Sequence, residues 1–404
     1  MRSLLLCIAV ASASLLIPQT NALQRDPGRV DFGRQTKTAG PLEVTIRDGR
    51  QLTREQLVDA AVAGGDYIVR MQRRDGSFHY LYDAASGKLV ERGYNILRHA
   101  GVLSALYDLY AATRDPGYLR AARAGIEYLK TRFRPANVRD SLLVLDNDGK
   151  AKLGANGLAL LALCRQAELD PDAADIKGAR QLANLVVALQ RKNGAYDSYY
   201  QLRGDEPRGN VSLYYPGEAI LGLVSLYKLT KDPRLITSAQ RGANYLVRVQ
   251  SSMTKPPPDA WLMQALEALY RIDASPRYAA HAIRLATSII ADQYDESAPP
   301  AYRGGFGPGP PGSTPAASRA EGLLAAYRLA RLIDDPRAAR ISSALRACAA
   351  FQLSHQYTAD KSDRLPNPGR ARGGFRRSEQ SALIRIDFVQ HNVSSLLGIA
   401  SALY

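Results

Sequence analysis

Three cysteines, one tryptophan, five histidines and seven phenylalanines are all that the 404 residues contain of these types. Each shortage removes a class of function. Cys7 lies in the N-terminal apolar segment, while Cys164 and Cys348 sit within LALLALC and ALRACAAF. On such apolar helical faces a free cysteine behaves as a small hydrophobe. A disulfide scaffold is therefore excluded, and a single Cys164–Cys348 bridge is the one pairing that an oxidising compartment would allow. The histidines are not spaced as a zinc motif. No nucleophile elbow occurs. There is no phosphate-cradling loop either, because Gly304–Gly312 is rich in proline and no Lys-Ser/Thr follows it.

Long hydrophobic runs are also scarce. One opens the chain: Arg2 supplies a positive start, Ser3–Pro18 is apolar, and Thr20-Asn21-Ala22 offers a small-residue cleavage site. The run is too short and too interrupted by serine for a membrane span. The expectation is a signal peptide over 1–22, cleaved after Ala22, a secreted or periplasmic location, and no stable membrane insertion. Residues 23–52 read as a polar N-terminal arm with one strand-like stretch at Leu42–Ile46. Residues 53–404 remain for one folded domain, ample for a large core.

Acidic residues are in the minority, 38 against 53 Lys and Arg, for a formal charge of +15. A secreted basic protein suits acidic partners, an anionic glycan foremost. The basic residues form no tract beyond short pairs, so nucleic acid is not an expected partner. A uniformly Ala/Arg-rich composition explains the same charge without any partner.

What the chain does have is a repeat. A helix ends in Gln, a Gly-aromatic pair follows, and an apolar helix begins. Met71–Tyr80 reads MQRRDGSFHY and Leu189–Tyr200 reads LQRKNGAYDSYY. Gln293 leads to Gly304-Gly305-Phe306, and Gln352 to Gly373-Gly374-Phe375, whereas Gln250 keeps only the Gln. A second mark is Asp-Pro at 115, 170, 232 and 335, with Ser275-Pro276 as a fifth copy. Asp or Ser at an N-cap followed by proline starts a helix, since the side chain satisfies orphan amides and proline lacks one.

Together the marks predict six helical hairpins. The first members run near 53–72, 117–133, 172–190, 234–250, 277–293 and 336–352, with one charged face. The second members run near 94–112, 154–168, 215–230, 258–272, 315–333 and 390–403 and are apolar all round, as buried helices are. Outer and inner rings of six pairs give an all-α (α/α)6 toroid; an open solenoid is the competing architecture. The Gln-to-aromatic cadence resembles the repeat of the squalene-cyclase and prenyltransferase superfamily. The alternation resembles six-hairpin glycosidases and the toroids of polysaccharide lyases and uronate carbon-5 epimerases. That resemblance covers roughly 53–404 and implies a fold, since one fold hosts many functions. The chain departs from the terpene cyclases, having neither an Asp-rich acid motif nor the aromatic density that lines a carbocation cavity.

In this topology all six inner helices point the same way, so residues at their N-termini share a rim. These are Tyr94, Asn95, Arg98 and His99; Asn156; Tyr214, Tyr215 and Glu218; Asp259 and Trp261; Arg319 and Glu321; and Asp387, Gln390, His391 and Asn392. Capping accounts for Asn and Asp at such places, but cations there oppose the helix dipole. His99 and His391 are thus candidate acid/base residues, against the bland reading of satisfied core histidines. Glu218 and Glu321 are carboxylates on apolar helices, suited to acid catalysis or to buried ion pairs. Tyr215 joins the candidate catalytic set. Tyr94, Asn95, Arg98, Asp259, Trp261, Arg319, Gln390 and Asn392 form the candidate substrate-binding set. Asp146 and Asp148 could hold calcium, although an ordinary Asx turn explains them; no other cofactor is expected. The reading is an enzyme acting on a polysaccharide, with uronate lyase or epimerase chemistry ahead of glycoside hydrolysis by Glu218 and Glu321. The competitor is a non-catalytic glycan- or protein-binding toroid.

Overall fold

The computed structural model describes residues 51–91, 93–202 and 212–404. The expected signal peptide, most of the arm and the strand-like Leu42–Ile46 lie outside these residues. Outer helices α1 (Arg54–Arg70), α3 (Pro116–Lys130), α5 (Ile176–Ala188), α7 (Pro233–Ser251), α9 (Pro276–Ala291) and α11 (Arg337–Ser354) alternate with inner helices. The inner helices are α2 (Ile96–Thr113), α4 (Leu153–Leu169), α6 (Tyr215–Thr230), α8 (Ala260–Asp273), α10 (Ser313–Leu332) and α14 (Ile386–Leu403). Two short helices, α12 (Ala359–Ser362) and α13 (Pro368–Ala371), lie in the last long loop.

Each inner helix packs on the next, α2 on α4, α6, α8, α10 and α14 in turn, and α14 packs back on α2. The ring is closed, and the fold is an (α/α)6 toroid, not a solenoid. Two glycines let α4 and α6 approach: a side chain at Gly157 would meet the Ala219 backbone nitrogen at 2.7 Å, and one at Gly222 the Gly157 carbonyl at 2.6 Å.

The Gln cadence proves to be a joint. Gln72 donates through Nε2 to the Gly76 carbonyl of its own loop and to the Ala121 carbonyl of the next outer helix, α3. Gln190 does the same to Gly194 and Ser238, and Gln293 to Gly304 and Ala344. In the last repeat the residue is Gln356, not Gln352, and it bonds Gly373 and Ala60 of α1. The loop glycines take φ of +85°, +97°, +80° and +83° at 76, 194, 304 and 373, and a side chain at each would strike a carbonyl of that neighbouring outer helix. Glycine is required there by conformation and by space. The paired aromatics Phe78, Tyr196, Phe306 and Phe375 are at most 5 % exposed. They pack into the layer between the rings. Where the Gly-aromatic pair is missing, Gln250 instead meets His281 Nε2 at 2.9 Å.

The return turns are equally regular. Arg114, Lys231, Ala274 and Asp334 have left-handed φ of 61°, 57°, 51° and 53°, followed directly by Asp-Pro or Ser-Pro. Asp115, Asp232 and Asp335 accept from the amide two residues on. Two of the five marks behave otherwise. Ser275 makes no side-chain cap, and Asp170-Pro171 opens a 3-10 turn, so that Asp175 caps α5 at Ile176. Asp170 is held by Arg123 instead.

Short strands were not legible as strands. β1 (Leu81–Asp83), β2 (Lys88–Val90) and β7 (Leu383–Arg385) form an antiparallel sheet in the order β2-β1-β7, tying the first loop to the last. β3 (Phe133–Pro135) pairs with β4 (Leu142–Val144), and β5 (Ala151–Lys152) with β6 (Tyr199–Tyr200). Cys164 and Cys348 are buried free thiols rather than a bridge. Among the described residues no helix is long and apolar enough to cross a membrane.

Candidate functional site

The inner N-termini do converge. Asp146 Oδ1, just ahead of α4, accepts from the Ile96 amide at the start of α2, at 3.0 Å. Over Gly154 of α4 come Leu97 from α2 and both Tyr215 and Glu218 from α6. The two flanking helices can meet there only on the inside of the ring. At the other end, the C-terminal halves of the inner helices are joined by charges: Arg165 to Asp108 and Glu168, and Arg271 and Arg328 to Glu267. The toroid is thus a cup with a polar, ion-paired base.

His391 stands inside the cup. Its Nδ1 meets Glu321 Oε2 at 2.8 Å, and the two side chains are 14 % and 8 % exposed. Its ring lies 6.1 Å from Trp261, edge to face. Trp261 belongs to α8 and His391 to α14, which are separated in the ring by α10, so this contact crosses the interior. Burial works against the charged imidazole, but the charge and hydrogen bond of Glu321, with Asp387 beyond, outweigh it and hold the His391 pKa above the ordinary value. Among the described residues Nε2 has no hydrogen-bond partner, and it is not one of the sealed orphan atoms, so it remains accessible. One turn earlier on α14, Asp387 receives Arg98 Nε at 3.0 Å and Arg385 Nε at 2.5 Å. Arg98 also bonds the Tyr80 hydroxyl. Arg98, a cation that capping could not explain, is explained by this ion pair.

A second acidic group lies at the starts of α6 and α8. Glu218 and Asp259 are 3 % and 0 % exposed, and Glu218 Oε2 and Asp259 Oδ2 have no hydrogen-bond partner. Burial first, and the charge of Asp259 second, push Glu218 up to about 8. Burial pushes Asp259 up to about 7, against the pull of the Leu262 and Trp261 amides. Both carboxyls therefore hold protons near neutrality in part or in full. Tyr215 stacks edge-on against Tyr199 at 6.1 Å, and burial raises its phenol. Asp259 also caps α8 through Leu262, at 3.0 Å.

Several expected site residues serve the framework instead. His99 is fully buried; Nδ1 receives the Tyr94 hydroxyl at 2.7 Å and Nε2 donates to the Gly125 carbonyl at 2.8 Å. Burial lowers it to about 4, so it is a neutral, satisfied core histidine and not an acid/base at the rim. Tyr94 is spent on His99 and on the Phe78 amide. Asn95 caps α2 through the Arg98 amide, and Asn156 ties the Val144 amide to the Lys152 carbonyl. Asn392 turns back to the Phe388 carbonyl and is fully buried. Arg319 leans over the Phe306 ring at 5.3 Å, and burial lowers its pKa. Gln390 is buried, with Nε2 3.5 Å from His391 Nδ1. Helix α14 begins at Ile386 rather than near 390, so His391 sits in its second turn. The calcium expectation fails on charge: the Lys152 ammonium lies 2.5 Å from Asp146 and 2.8 Å from Asp148, where a cation would have to sit. Among the described residues no group of three or more His, Cys, Asp or Glu could hold a metal. Tyr80 and Arg385 were missed; only the polar Arg-x-Asp ahead of an apolar helix hinted at Arg385.

No family model matches the chain, and no curated protein matches it in sequence. Solved structures do match in fold. A cellobiose 2-epimerase from Bacillus thermoamylovorans B4167 superposes with a TM-score of 0.63 at 12% identity, over 86% of this chain and 99% of its own. A D-mannose isomerase gives 0.62 at 15% identity, over 87% and 97%. The GH76A alpha-1,6-mannanase from Salegentibacter sp. HEL1_6 gives 0.60 at 13% identity, over 86% and 100%. At such identities the likeness establishes the six-hairpin toroid shared by these proteins and nothing finer.

Proposed function

We propose that the chain is a carbohydrate-active enzyme that moves a proton at a sugar carbon, by uronate lyase- or epimerase-type chemistry, with His391 as its base. The carrying observation is His391 itself: Nδ1 fixed by the buried Glu321, Nε2 free, and Trp261 reaching across the cup beside it. A histidine oriented by a carboxylate is a strong general base whose charged form is stabilised when it takes the proton. Trp261 gives a sugar ring an apolar face to lie on. Arg98, paired with Asp387 one turn of α14 before His391, supplies a cation suited to an enolate or carboxylate. Glu218 holds a proton near neutrality and is a candidate acid for the returning proton or for a departing oxygen. The toroid is shared with sugar epimerases and isomerases, which supports this reading.

Hydrolysis by Glu218 and Glu321 is less favoured, because Glu321 is committed to His391. The inactive variant of the Salegentibacter mannanase replaces two consecutive aspartates. The consecutive pair here, Asp334-Asp335, lies at a return turn away from the mouth. We place the reaction outside the cytoplasm on the strength of the N-terminal segment. The test is a panel of acidic and neutral glycans followed for ultraviolet absorbance of new double bonds, reducing ends, and deuterium uptake from solvent. Absorbance or deuterium uptake that vanishes in His391→Asn supports the proposal. New reducing ends without either signal transfer the chain to the hydrolases. Binding with no reaction makes it a non-catalytic toroid.

A further inference from the structure

The two ends of the toroid differ in charge, and the difference is not explained by helix capping alone. The return turns, 114–116, 170–175, 231–232, 274–275 and 333–336, carry seven Asp against two Lys or Arg. Helix N-caps account for most of that excess. The opposite rim, where His391 lies, has its strongest charge in the last loop: residues 355–385 hold seven Lys or Arg against three Asp or Glu. No cap requires them.

Several of these cations crowd the end of α1. The Arg70 guanidinium donates to the Arg372 carbonyl. Arg370 lies over the Tyr82 ring, 6.0 Å from its centre. Burial first, then the charges of Arg73 and Arg370, hold His79 below its usual pKa. Burial first lowers Arg70, against the charge of Asp66, with Arg372 adding a smaller part. Nearby Glu91 is taken up by Arg73 and His79, and Asp66 accepts from Tyr118. Arg370 and Arg372 are exposed and have no carboxylate partner. Like charges packed this closely repel, which favours an arriving anion. From this cluster the chain continues to Arg385 at the end of β7, which shares Asp387 with Arg98 of α2, one helical turn from His391.

We infer that the arc of Arg70, Arg73, Arg370 and Arg372 is a docking track for a polysaccharide bearing regularly spaced carboxylates, which it leads over the rim toward His391. The inference rests on the proposed function and names its substrate class. Guanidinium groups suit it because their planar forks match carboxylates two bonds at a time. A nucleic acid suits it less. The aromatic rings of the cluster, Tyr67 and Tyr82, are 1 % and 0 % exposed, so no face is left on which a base could stack.

The experiment uses the full chain and end-labelled polygalacturonate fragments, with dextran and single-stranded DNA of similar length, read by fluorescence anisotropy over a salt series. Polygalacturonate is expected to bind most tightly, with affinity falling as salt rises. The double variant Arg370→Glu/Arg372→Glu should weaken it by about tenfold or more and flatten the salt dependence. Lys177→Glu, on the exposed start of α5 at the acidic end, is the control and should change it less than about twofold. Circular dichroism confirms that each variant is folded. Dextran binding as tight as polygalacturonate, DNA binding tighter, or equal loss in Lys177→Glu overturns the inference. A neutral glycan turned over in a His391-dependent way overturns it too, while leaving His391 as the base.

Discussion

Gln356 donates through its side-chain amide to the carbonyl of Ala60, 296 residues earlier, at 2.7 Å. The same amide holds the Gly373 carbonyl at 3.1 Å. One buried side chain thus fastens the last repeat to the first. The joint repeats what Gln72, Gln190 and Gln293 do between consecutive repeats, so closure uses the same bond as propagation.

Removing that bond leaves the Gly373 carbonyl unsatisfied, while Ala60 keeps its intrahelical bond within α1. Gln356→Ala should lower stability by about 1–3 kcal/mol, the range for an unsatisfied buried acceptor. Urea unfolding followed by circular dichroism measures it. Gln356→Ala should also expose the α1 end to protease before the rest of the ring; uniform cleavage would argue that closure is not a weak seam.

Two glycines with similar φ separate strain from collision. Gly373, at φ +83°, faces the Ala63 carbonyl, while Gly93, at +77°, has nothing within 4 Å of a side-chain position. Gly93→Ala should cost about 1 kcal/mol, the conformational penalty alone. Gly373→Ala should cost several-fold more, because α1 must move. Equal midpoints for the two variants in a thermal melt would refute the packing role given to the repeat's glycine.

The His391 pKa is raised by Glu321, and the sign of the pH effect follows. A raised folded pKa stabilises the protein below the unfolded value of about 6.5, and the benefit is lost as pH rises through the folded pKa. Glu321→Gln should remove that low-pH stabilisation. It should also shift the ascending limb of the pH–rate profile downward, since a base acts once it is neutral. Titration of the imidazole resonance by NMR tests the same shift without requiring activity.

Three buried histidines predict acid lability. His99, His281 and His355 are each lowered to about 4, chiefly by burial. For a base whose folded pKa is depressed, the unfolded chain binds the proton first. Stability should therefore fall between about pH 6.5 and pH 4. For His99, the added proton must displace the bond from Tyr94. His99→Gln should make the unfolding curve less pH-sensitive across that window, even if it is less stable at pH 7.

Lys152 Nζ sits between the Asp146 and Asp148 carboxylates, at 2.5 and 2.8 Å. With side-chain exposures of 9% for Lys152 and 1% for Asp146, the pair is nearly sealed. Lys152→Met should cost about 3–5 kcal/mol by leaving a buried carboxylate unpaired. Calcium should leave the melting temperature of the natural chain unchanged; a calcium-dependent rise would show that the ammonium yields its place.

The sequence by itself determined the periodic features. Asp-Pro starts, Gln-to-glycine loops and the contrast between amphipathic and wholly apolar helices are local signals, and they placed the six hairpins and the two rings. They could not assign the last joint to Gln356 over Gln352, because only the partner carbonyl of Ala60 distinguishes them. Nor could they separate His99 from His391. Both are histidines on apolar inner helices. One is flanked by Tyr94 and a backbone carbonyl and is sealed, while the other meets Glu321 and keeps a free nitrogen in the cup. Short strands such as β1 and β7 were illegible because their pairing joins residues some 300 apart, as the register Leu81↔Arg385 shows. Local patterns fix which elements form; the partner across the ring, which no local pattern encodes, decides whether a side chain becomes framework or chemistry.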